Sequence, residues 1–293
     1  MAIATSSNYL TTKNGTKTHY TRCGRDTGPL LILLHGLGGS SHTFTPLLPY
    51  LPVATHDILS VDFKGFGATP LTKRKIALSI DRYVEDLESF ITHLESTEDI
   101  IIIGHSLGSI VALKYAAKHS KQVKGLGLLG VGRSASHIPA ARERMLGLAA
   151  KVRNEGIEAA AELATRTNTL RHPLTLPPTN QVPPGDPTES ATFARAEVRK
   201  AILTSDPEGY AQICEAMVSL DHKDPDYRSI TCPVVFVTGR DDTLSPPLRA
   251  KELASLLGGR STVHLLQGGH QPILSDLQGT VKAISELFCQ IKR

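Results

Sequence analysis

The sequence predicts an α/β fold, in which a mostly parallel central sheet of about eight strands has helices on both faces and an inserted helical cap. Continuous apolar runs such as Leu30–Leu34 and Ile100–Ile103 are typical of strands that are buried on both faces. Helical patterns alternate with these runs, which favours a parallel sheet. The alternation stops after Val131, and residues 133–229 show helical patterns without strands.

The chain starts with a predicted β-hairpin. The segments Tyr9–Thr12 and Thr16–Thr21 flank Asn14-Gly15. Asn-Gly favours the tight turn that joins two antiparallel strands, because both residues tolerate a positive φ. Asn14-Gly15-Thr16 also fits a glycosylation sequon, but no secretion signal accompanies it, so the turn is the preferred interpretation.

The rest of the core domain is predicted from six mostly apolar segments and the helical patterns between them. The predicted strands are Leu30–Leu34, Ile58–Val61, Ile100–Ile103, Val123–Leu129, Val234–Val237 and Thr262–Leu266. The predicted helices are a stretch near Phe44–Leu51, then Ile80–Leu94, Ile110–Lys118, Leu248–Leu257 and Val281–Phe288. We predict that residues 1–132 and 230–293 form this α/β core domain.

The helical cap is predicted at residues 133–229. Its expected helices are Ala141–Lys151, Gly156–Thr165, Thr192–Leu203 and Tyr210–Ser219. Residues 172–190 contain six prolines. Because proline removes a hydrogen-bond donor and clashes with the preceding turn, this stretch is predicted to be an irregular loop.

The charge distribution excludes a nucleic-acid partner. The 293 residues carry a net charge of +4, but lysine and arginine are scattered among aspartate and glutamate. A nucleic-acid-binding protein usually gathers its basic residues on one face. The densest basic run, Lys73-Arg74-Lys75, is predicted to be a solvated loop.

The composition predicts a soluble, cytoplasmic protein with no membrane partner. The N-terminus lacks the basic start and apolar core of a secretion signal, and no apolar run is long enough to cross a bilayer. The four cysteines form no C-x-x-C pair and none lies near histidine at metal-ligand spacing. We therefore predict buried, reduced thiols and no metal site.

Ser106 is predicted to be a catalytic nucleophile. It lies in Gly104-His105-Ser106-Leu107-Gly108, between the strand Ile100–Ile103 and a helix that starts near Leu107. A serine on such a sharp strand-to-helix turn has its oxygen exposed, while the flanking glycines let neighbouring backbone approach closely. The helix N-terminus also offers N–H groups to a developing anion.

His270 is the predicted general base. Serine is a weak nucleophile unless an adjacent base takes its proton. His270 follows the last predicted strand through Gln267-Gly268-Gly269, and the glycines let the chain turn the imidazole towards the serine. His264 lies within that strand, so a structural role is expected for it.

Asp242 is the predicted acid that orients His270. It follows the strand Val234–Val237 and stands four residues before Pro246, with which a helix is predicted to start. This spacing resembles the G-x-x-D-x-x-x-P loop of the α/β-hydrolase superfamily, and the resemblance implies that Asp242 is the acid. Asp241 is the alternative, because two adjacent carboxylates cannot both point inwards. In some members of the α/β-hydrolase superfamily the acid follows the strand after the nucleophile helix. The corresponding segment here, residues 131–136, contains no carboxylate.

The glycine-rich segment His35-Gly36-Leu37-Gly38-Gly39 is predicted to form the oxyanion loop. It follows a strand directly but lacks both common phosphate-binding patterns. The N–H groups of Leu37 and Leu107 are expected to hold the oxyanion of the tetrahedral intermediate, and one such donor typically contributes about 3 kcal/mol. His35 is expected to be a structural hydrogen-bonding residue.

These motifs together resemble the α/β-hydrolase superfamily over nearly the whole chain. Residues 62–67, Asp-Phe-Lys-Gly-Phe-Gly, are similar to the D-x-x-G-x-G turn of that superfamily. In the cap, residues 204–211 and Leu220-Asp221 are similar to 3-oxoadipate enol-lactonases and to esterase and haloperoxidase-like relatives. The proline-rich stretch 172–190 departs from these relatives as an insertion.

The resemblance implies hydrolysis of a small carboxylic ester or lactone through an acyl-enzyme on Ser106, without a metal or organic cofactor. A small-molecule substrate is then the expected partner. Dehalogenases and epoxide hydrolases of this superfamily use aspartate as the nucleophile, so they are excluded. A carbon–carbon bond hydrolase, a thioesterase and a slow-turnover hormone-type receptor share the triad and remain open.

Substrate-binding residues are expected in the cap, because the cap forms the roof of the pocket in such enzymes. The candidates are Arg133, Arg142 and Met145, with Arg144 as a further cation. A cation there would suit a lactone that carries carboxylates, whereas a solvated helix face is the alternative interpretation. The sequence does not distinguish a monomer from a homodimer.

Overall fold

The computed structural model describes residues 3–13, 15–71, 77–94, 99–168 and 187–292, the last range without the side chains of residues 187–191. Its centre is an eight-stranded sheet in the order β1-β2-β4-β3-β5-β6-β7-β8. The strands are β1 Ser6–Thr11, β2 Lys17–Gly24, β3 Leu30–Leu34, β4 Asp57–Val61, β5 Ile100–His105, β6 Val123–Leu129, β7 Val234–Gly239 and β8 Ser261–Leu266. The predicted fold class and the N-terminal hairpin are confirmed.

The direction of the strands places the functional loops together. β1 pairs antiparallel with β2, and β2 pairs antiparallel with β4. The six strands from β4 to β8 are mutually parallel. Because parallel strands end at the same edge of a sheet, the loops that follow β3, β4, β5, β7 and β8 meet at one edge, where ligands bind in folds of this kind.

The two faces of the sheet are covered by different helices. In β3, Leu30, Ile32 and Leu34 face one apolar core and Leu31 and Leu33 face the other. The helices are α1 Ile80–His93, α2 Leu107–Lys118, α3 Pro139–Glu155, α4 Ile157–Thr167, α5 Pro187–Leu203, α6 Pro207–Met217, α7 Pro247–Leu256, α8 Pro272–Ser275 and α9 Leu277–Ile291. Helices α1, α2 and α7 cover the first face, and α9 covers the second.

Helices α3 to α6 lie between β6 and β7 in the chain and form what we call the cap helices. The division into core and cap domains stays a prediction. Helix α6 is fastened to the core, because the Asp206 N–H donates to the Gly65 carbonyl oxygen at 2.9 Å. A Cβ placed on Gly209 would lie 3.0 Å from the Gly65 Cα, so the two backbones touch where neither residue has a side chain.

Several predicted elements differ from the structure. The helix near Phe44–Leu51 is replaced by two short 3-10 helices, Ser41–Phe44 and Leu48–Tyr50. Helix α5 begins at Pro187, so the last part of the predicted proline-rich loop is helical, while residues 169–186 lie outside the described residues. Proline is favoured at the first turn of a helix, where its missing N–H costs nothing.

The structure also gives the state of the four cysteines and the character of the helices. All four cysteines are free thiols, and Cys23, Cys214 and Cys232 are buried as predicted. Cys289 is exposed on α9, which corrects the prediction of four buried thiols. Among the residues that the structure describes, no helix combines the length and apolar character needed to span a bilayer.

Candidate active site

Ser106 lies on a strained turn between β5 and α2. Its φ of 50° makes it the single non-glycine residue with a positive φ in the described part of the chain. Such backbone costs about 1–3 kcal/mol and persists only where surrounding contacts hold it. The Ser106 N–H donates to the Leu129 carbonyl oxygen at 2.9 Å, and the Ser109 hydroxyl donates to the Ser106 carbonyl oxygen at 2.5 Å.

The flanking glycines are required because backbone approaches them closely. A Cβ on Gly104 would lie 2.5 Å from the Gly108 carbonyl oxygen, and a Cβ on Gly108 would overlap the Leu34 carbonyl. Any side chain at either position would push α2 away from the sheet. The predicted turn geometry around Ser106 is therefore present in the structure.

The structure brings His270 and Ser106 together. His270 is buried, and its Nε2 lies 2.9 Å from the Ser106 Oγ. Its loop leaves β8 through Gly268, which has a φ of 91°. A glycine adopts this conformation without the steric cost that other residues bear, so the chain can turn back over the end of the sheet.

Asp242, and not Asp241, is the carboxylate that contacts His270. Its Oδ2 lies 2.8 Å from the His270 Nδ1, and its Oδ1 accepts the N–H groups of Leu244 and Ser245 at 2.9 and 2.7 Å. Burial acts to raise the pKa of Asp242, but the adjacent His270 and these backbone donors outweigh it and lower the pKa. Asp242 is therefore ionised at neutral pH.

The loop after β3 faces the same site. Gly38 has a φ of 72°, and Leu37 lines the cavity that contains Ser106. Leu107 is the first residue of α2, a position whose N–H has no intrahelical acceptor. Both predicted oxyanion donors thus belong to segments that adjoin Ser106, and their role stays a prediction.

Residues after β4 hold this loop in place. The Asp62 carboxylate accepts the Ser41 N–H and, at 2.8 Å, the Ala68 N–H. The His35 Nε2 accepts the Phe63 N–H at 3.0 Å, which gives His35 the structural role that the sequence predicts. Asp62 also contacts the His19 Nδ1 at 2.7 Å, and the His19 Nε2 lies 2.8 Å from the Ser7 Oγ in the edge strand β1.

Two cavities meet at the site. A cavity of about 150 Å³, which we call the serine cavity, contains Ser106 and His270 and is walled by apolar residues of α3 and α4. A cavity of about 490 Å³, which we call the outer cavity, lies between the loop after β3 and α5. The residues that line both cavities are Leu37, His105, Asn168 and Gln271.

The predicted substrate-binding residues are only partly in the serine cavity. Met145 lines it, and so does Arg133, although Arg133 is paired with Asp224 at 2.5 Å. Arg142 does not line it, because Arg142 donates to the Val218 carbonyl oxygen at 2.7 Å and faces a groove on another side of the cap helices. The inclusion of Arg142 in the substrate site is therefore corrected.

Two further arginines line the serine cavity. Arg144 is the further cap cation that the sequence predicts, whereas Arg249 of α7 is not predicted by any motif. Arg249 donates to the Leu244 carbonyl oxygen at 2.9 Å. Burial, followed by repulsion from Arg144 and Arg133, lowers the pKa of Arg249, while Asp242 opposes the change. The cavity therefore has positive charge on one wall.

The histidine, cysteine, aspartate and glutamate side chains are also the usual protein ligands of metal ions. Within the described ranges, no group of three or more histidine, cysteine, aspartate or glutamate side chains is arranged to hold a metal ion. His264, which the sequence analysis treats as structural, lies 3.0 Å from a Glu286 carboxylate oxygen, away from Ser106.

Comparison with known proteins shows the family and the fold of this chain. A family model described as alpha/beta hydrolase fold matches residues 29–277. A thermophilic esterase from Thermogutta terrifontis superposes with a TM-score of 0.80 at 23% identity, covering 98% of this chain and 100% of the esterase. The enol-lactonase from Burkholderia xenovorans LB400 superposes with a TM-score of 0.79 at 22% identity, covering 96% of this chain and 100% of the lactonase.

Two curated relatives differ in how much of the chain they match and in their sequence identity to it. RutD of Escherichia coli O157:H7, which is named for carbamate hydrolysis, is 25% identical over 254 residues, or 85% of this chain and 86% of RutD. A relative with 31% identity matches over only 126 residues, so the chain covers 44% of its length. These likenesses concern the fold and the family rather than one substrate.

Proposed function

Because the chain belongs to the alpha/beta hydrolase fold family, we propose that it is a serine hydrolase that cleaves a carboxylic ester or lactone. The observation that carries this proposal is the continuous chain of contacts from Asp242 through His270 to Ser106, with distances of 2.8 and 2.9 Å. The strained turn at Ser106 supports it, because strain of this kind concentrates at functional sites.

The proposed first half-reaction forms an acyl-enzyme. Asp242 accepts the Nδ1–H of His270, which leaves the Nε2 lone pair to take the proton of the Ser106 hydroxyl. The Ser106 Oγ then attacks the carbonyl carbon, and the N–H groups of Leu37 and Leu107 hold the oxyanion. His270 passes its proton to the leaving oxygen as the carbon–oxygen bond breaks.

The second half-reaction is the same sequence with water as the nucleophile. His270 takes a proton from water, the resulting hydroxide attacks the acyl carbon, and the Ser106 oxygen leaves with the proton that His270 returns. The ionised Asp242 stabilises the imidazolium of His270 in both halves, which agrees with its lowered pKa. No step in this scheme requires a cofactor.

The two cavities support a substrate with a small acyl part. The serine cavity has about 150 Å³ beside Ser106, whereas the outer cavity offers about 490 Å³ for a larger group. Met145 would contact the apolar portion of the acyl group. Arg144 and Arg249, with Arg133 partly neutralised by Asp224, favour an acyl group that carries a carboxylate.

The test is hydrolysis of 4-nitrophenyl acetate and butyrate by the wild-type protein and by Ser106→Ala. We expect kcat to fall at least about a thousandfold in Ser106→Ala, as in other triad deletions. The matched control is Ser7→Ala, since Ser7 also contacts a histidine but lines neither cavity, and it should keep wild-type kcat.

Unchanged activity in Ser106→Ala would refute the proposed mechanism. Multiple rapid turnovers would separate an enzyme from a slow-turnover receptor. The same two proteins, offered small lactones and esters with and without a second carboxylate, would then define the substrate class.

A further inference from the structure

We propose that His105 is a positioning residue that holds His270 in register with Ser106. This inference rests on the proposed function, because it concerns the same catalytic residues. His105 is the last residue of β5 and the immediate neighbour of Ser106, yet the proposed acyl transfer assigns it no step. Its ring is buried beside that of His270, with the ring centroids 5.1 Å apart.

The first observation is a hydrogen bond from His105 to the main chain of the general base. The His105 Nε2 lies 2.8 Å from the His270 carbonyl oxygen. A carbonyl oxygen only accepts hydrogen bonds, so Nε2 carries the hydrogen and donates it. The residue next to the nucleophile is thereby joined directly to the residue that activates the nucleophile.

The second observation is that the other main-chain group of His270 is also held. Its N–H donates at 3.1 Å to the carbonyl oxygen of Asn168, the residue that follows α4. The backbone of His270 is therefore fastened on one side to the nucleophile turn and on the other side to a cap helix.

The loop that carries His270 needs such external contacts. β8 ends at Leu266, and Gly268 and Gly269 follow before His270. Glycines have no side chains to pack, so they allow the turn without fixing where it leads. A displacement of about 1 Å in a catalytic group can cost about a hundredfold in rate, so hydrogen bonds at His270 itself restore the required precision.

The third observation is that His105 also touches the loop after β3. A Cβ placed on Gly36 would lie 2.7 Å from the His105 Nδ1, so the imidazole rests directly on this backbone. One ring therefore contacts the predicted oxyanion loop and the base, and adjoins the nucleophile in the chain. A change in its position would alter the relation among all three.

The protonation state of His105 suits this role. Burial, together with the nearby His270, lowers the pKa of His105 to about 3. His105 is therefore neutral over the range in which esterases are assayed, and its Nε2–H donor is always present. A neutral ring also adds no positive charge beside the imidazolium that His270 becomes during acyl transfer.

The experiment compares His105→Gln with His105→Met. The two side chains have about the same length, but the Gln amide can donate to the His270 carbonyl oxygen and the Met methyl group cannot. With 4-nitrophenyl butyrate, we expect kcat of His105→Met to be about ten- to a hundredfold below that of His105→Gln, with KM unchanged within about threefold. The rate at which a fluorophosphonate labels Ser106 should fall in parallel.

Controls separate positioning from a general loss of structure. His264→Met makes the same change in a histidine of β8 that contacts Glu286 outside the site, and it should keep wild-type kcat. Histidine labelled with ¹⁵N provides a test that needs no variant, because NMR shows directly which ring nitrogen of His105 carries the hydrogen. Protonation at Nε2 is expected.

Two results would overturn the proposal. One is equal kcat in His105→Met and His105→Gln, and the other is a His105 ring protonated at Nδ1 instead of Nε2. These results are distinguishable from failure of the proposed function. If Ser106→Ala is inactive while His105→Met equals His105→Gln, the positioning role alone is lost, whereas an active Ser106→Ala removes the function on which it rests.

Discussion

The structure contains two sets of hydrogen-bonded serine, histidine and aspartate side chains, and the contact distances in the two sets are nearly the same. Ser106, His270 and Asp242 are joined at 2.9 and 2.8 Å. Ser7, His19 and Asp62 are joined at 2.8 and 2.7 Å, with the aspartate again on Nδ1 and the serine on Nε2. We call the first the elbow triad and the second the edge triad.

The surroundings of the two serines differ in every respect that matters for catalysis. Ser106 has a φ of 50° and adjoins both the start of α2 and the loop after β3. Ser7 lies in the regular edge strand β1, where it is exposed and lines neither of the two cavities. The hydrogen-bonded chain alone thus activates no substrate, because donors for an oxyanion and a cavity are also needed.

The aspartates differ as well. The remaining bonds of Asp242 go to its own loop, at Leu244 and Ser245. Asp62 binds the N–H groups of Ser41 and Ala68, in two segments that support the loop after β3. The edge triad is therefore best understood as a structural bracket that ties β2 to that loop.

The largest expected effect concerns Asp242→Asn. An amide cannot accept the His270 Nδ1–H in the same way as a carboxylate, so the imidazole loses its fixed tautomer. We expect kcat for 4-nitrophenyl butyrate to fall by roughly 10³–10⁴.

Asp241→Asn is the matched control for this substitution and should stay within about threefold of wild type. A large loss in Asp241→Asn with normal activity in Asp242→Asn would show that the wrong carboxylate has been assigned.

An intermediate effect is expected for Asp62→Asn, and it should appear in stability first. Replacing this buried carboxylate leaves the His19 ring and the Ser41 and Ala68 N–H groups imperfectly paired, at a cost of roughly 2–4 kcal/mol in the free energy of unfolding. Chemical denaturation measures this cost. If Asp62→Asn instead lost kcat as completely as Asp242→Asn at full stability, the distinction between bracket and catalyst would fail.

The smallest expected effect is a pH dependence of the free energy of unfolding. It arises beside the elbow triad, where His105 packs against His270. The pKa of His105 is lowered to about 3 in the folded protein, whereas an unfolded histidine titrates near 6.5. As the pH falls below 6.5, His105 becomes protonated in the unfolded chain but stays neutral in the folded protein. The free energy of unfolding therefore decreases until the pH reaches about 3.

This loss should amount to about 2 kcal/mol between pH 7 and pH 5. The unfolding free energy of His105→Gln should therefore fall less than that of wild type over the same interval. Parallel pH curves for the two proteins would contradict this account.

The strands were predictable because a strand that is buried on both faces appears in the sequence as a short, mostly apolar segment with clear ends. Leu30–Leu34 and Val123–Leu129 are confirmed at both ends. The first run is apolar throughout, and the second is mostly apolar and ends at Gly130, a turn residue. The segment from Ser41 to Tyr50 was not predictable in the same way. Its 3-10 turns are too short to show a helical period, so an apolar stretch there suggests an ordinary helix.

The candidate site divides along similar lines. Ser106, Asp242 and His270 each follow a strand and carry a local motif, and the structure brings them together. Arg249 and Arg142 show what local motifs omit, because helix packing alone decides that the first lines the serine cavity and the second does not. The edge triad depends on the pairing of β2 with β1 and with β4, and no local motif marks its three residues.

The contact between Gly65 and Gly209 has a consequence for building new specificities on this scaffold. With a Cβ on Gly209 only 3.0 Å from the Gly65 Cα, a helix transplanted from another hydrolase into the place of α6 would have to present a residue without a side chain at that point. A chimera with a larger residue at position 209 would push α6 away from the core. Tyr210, which lines the serine cavity, would move with the helix.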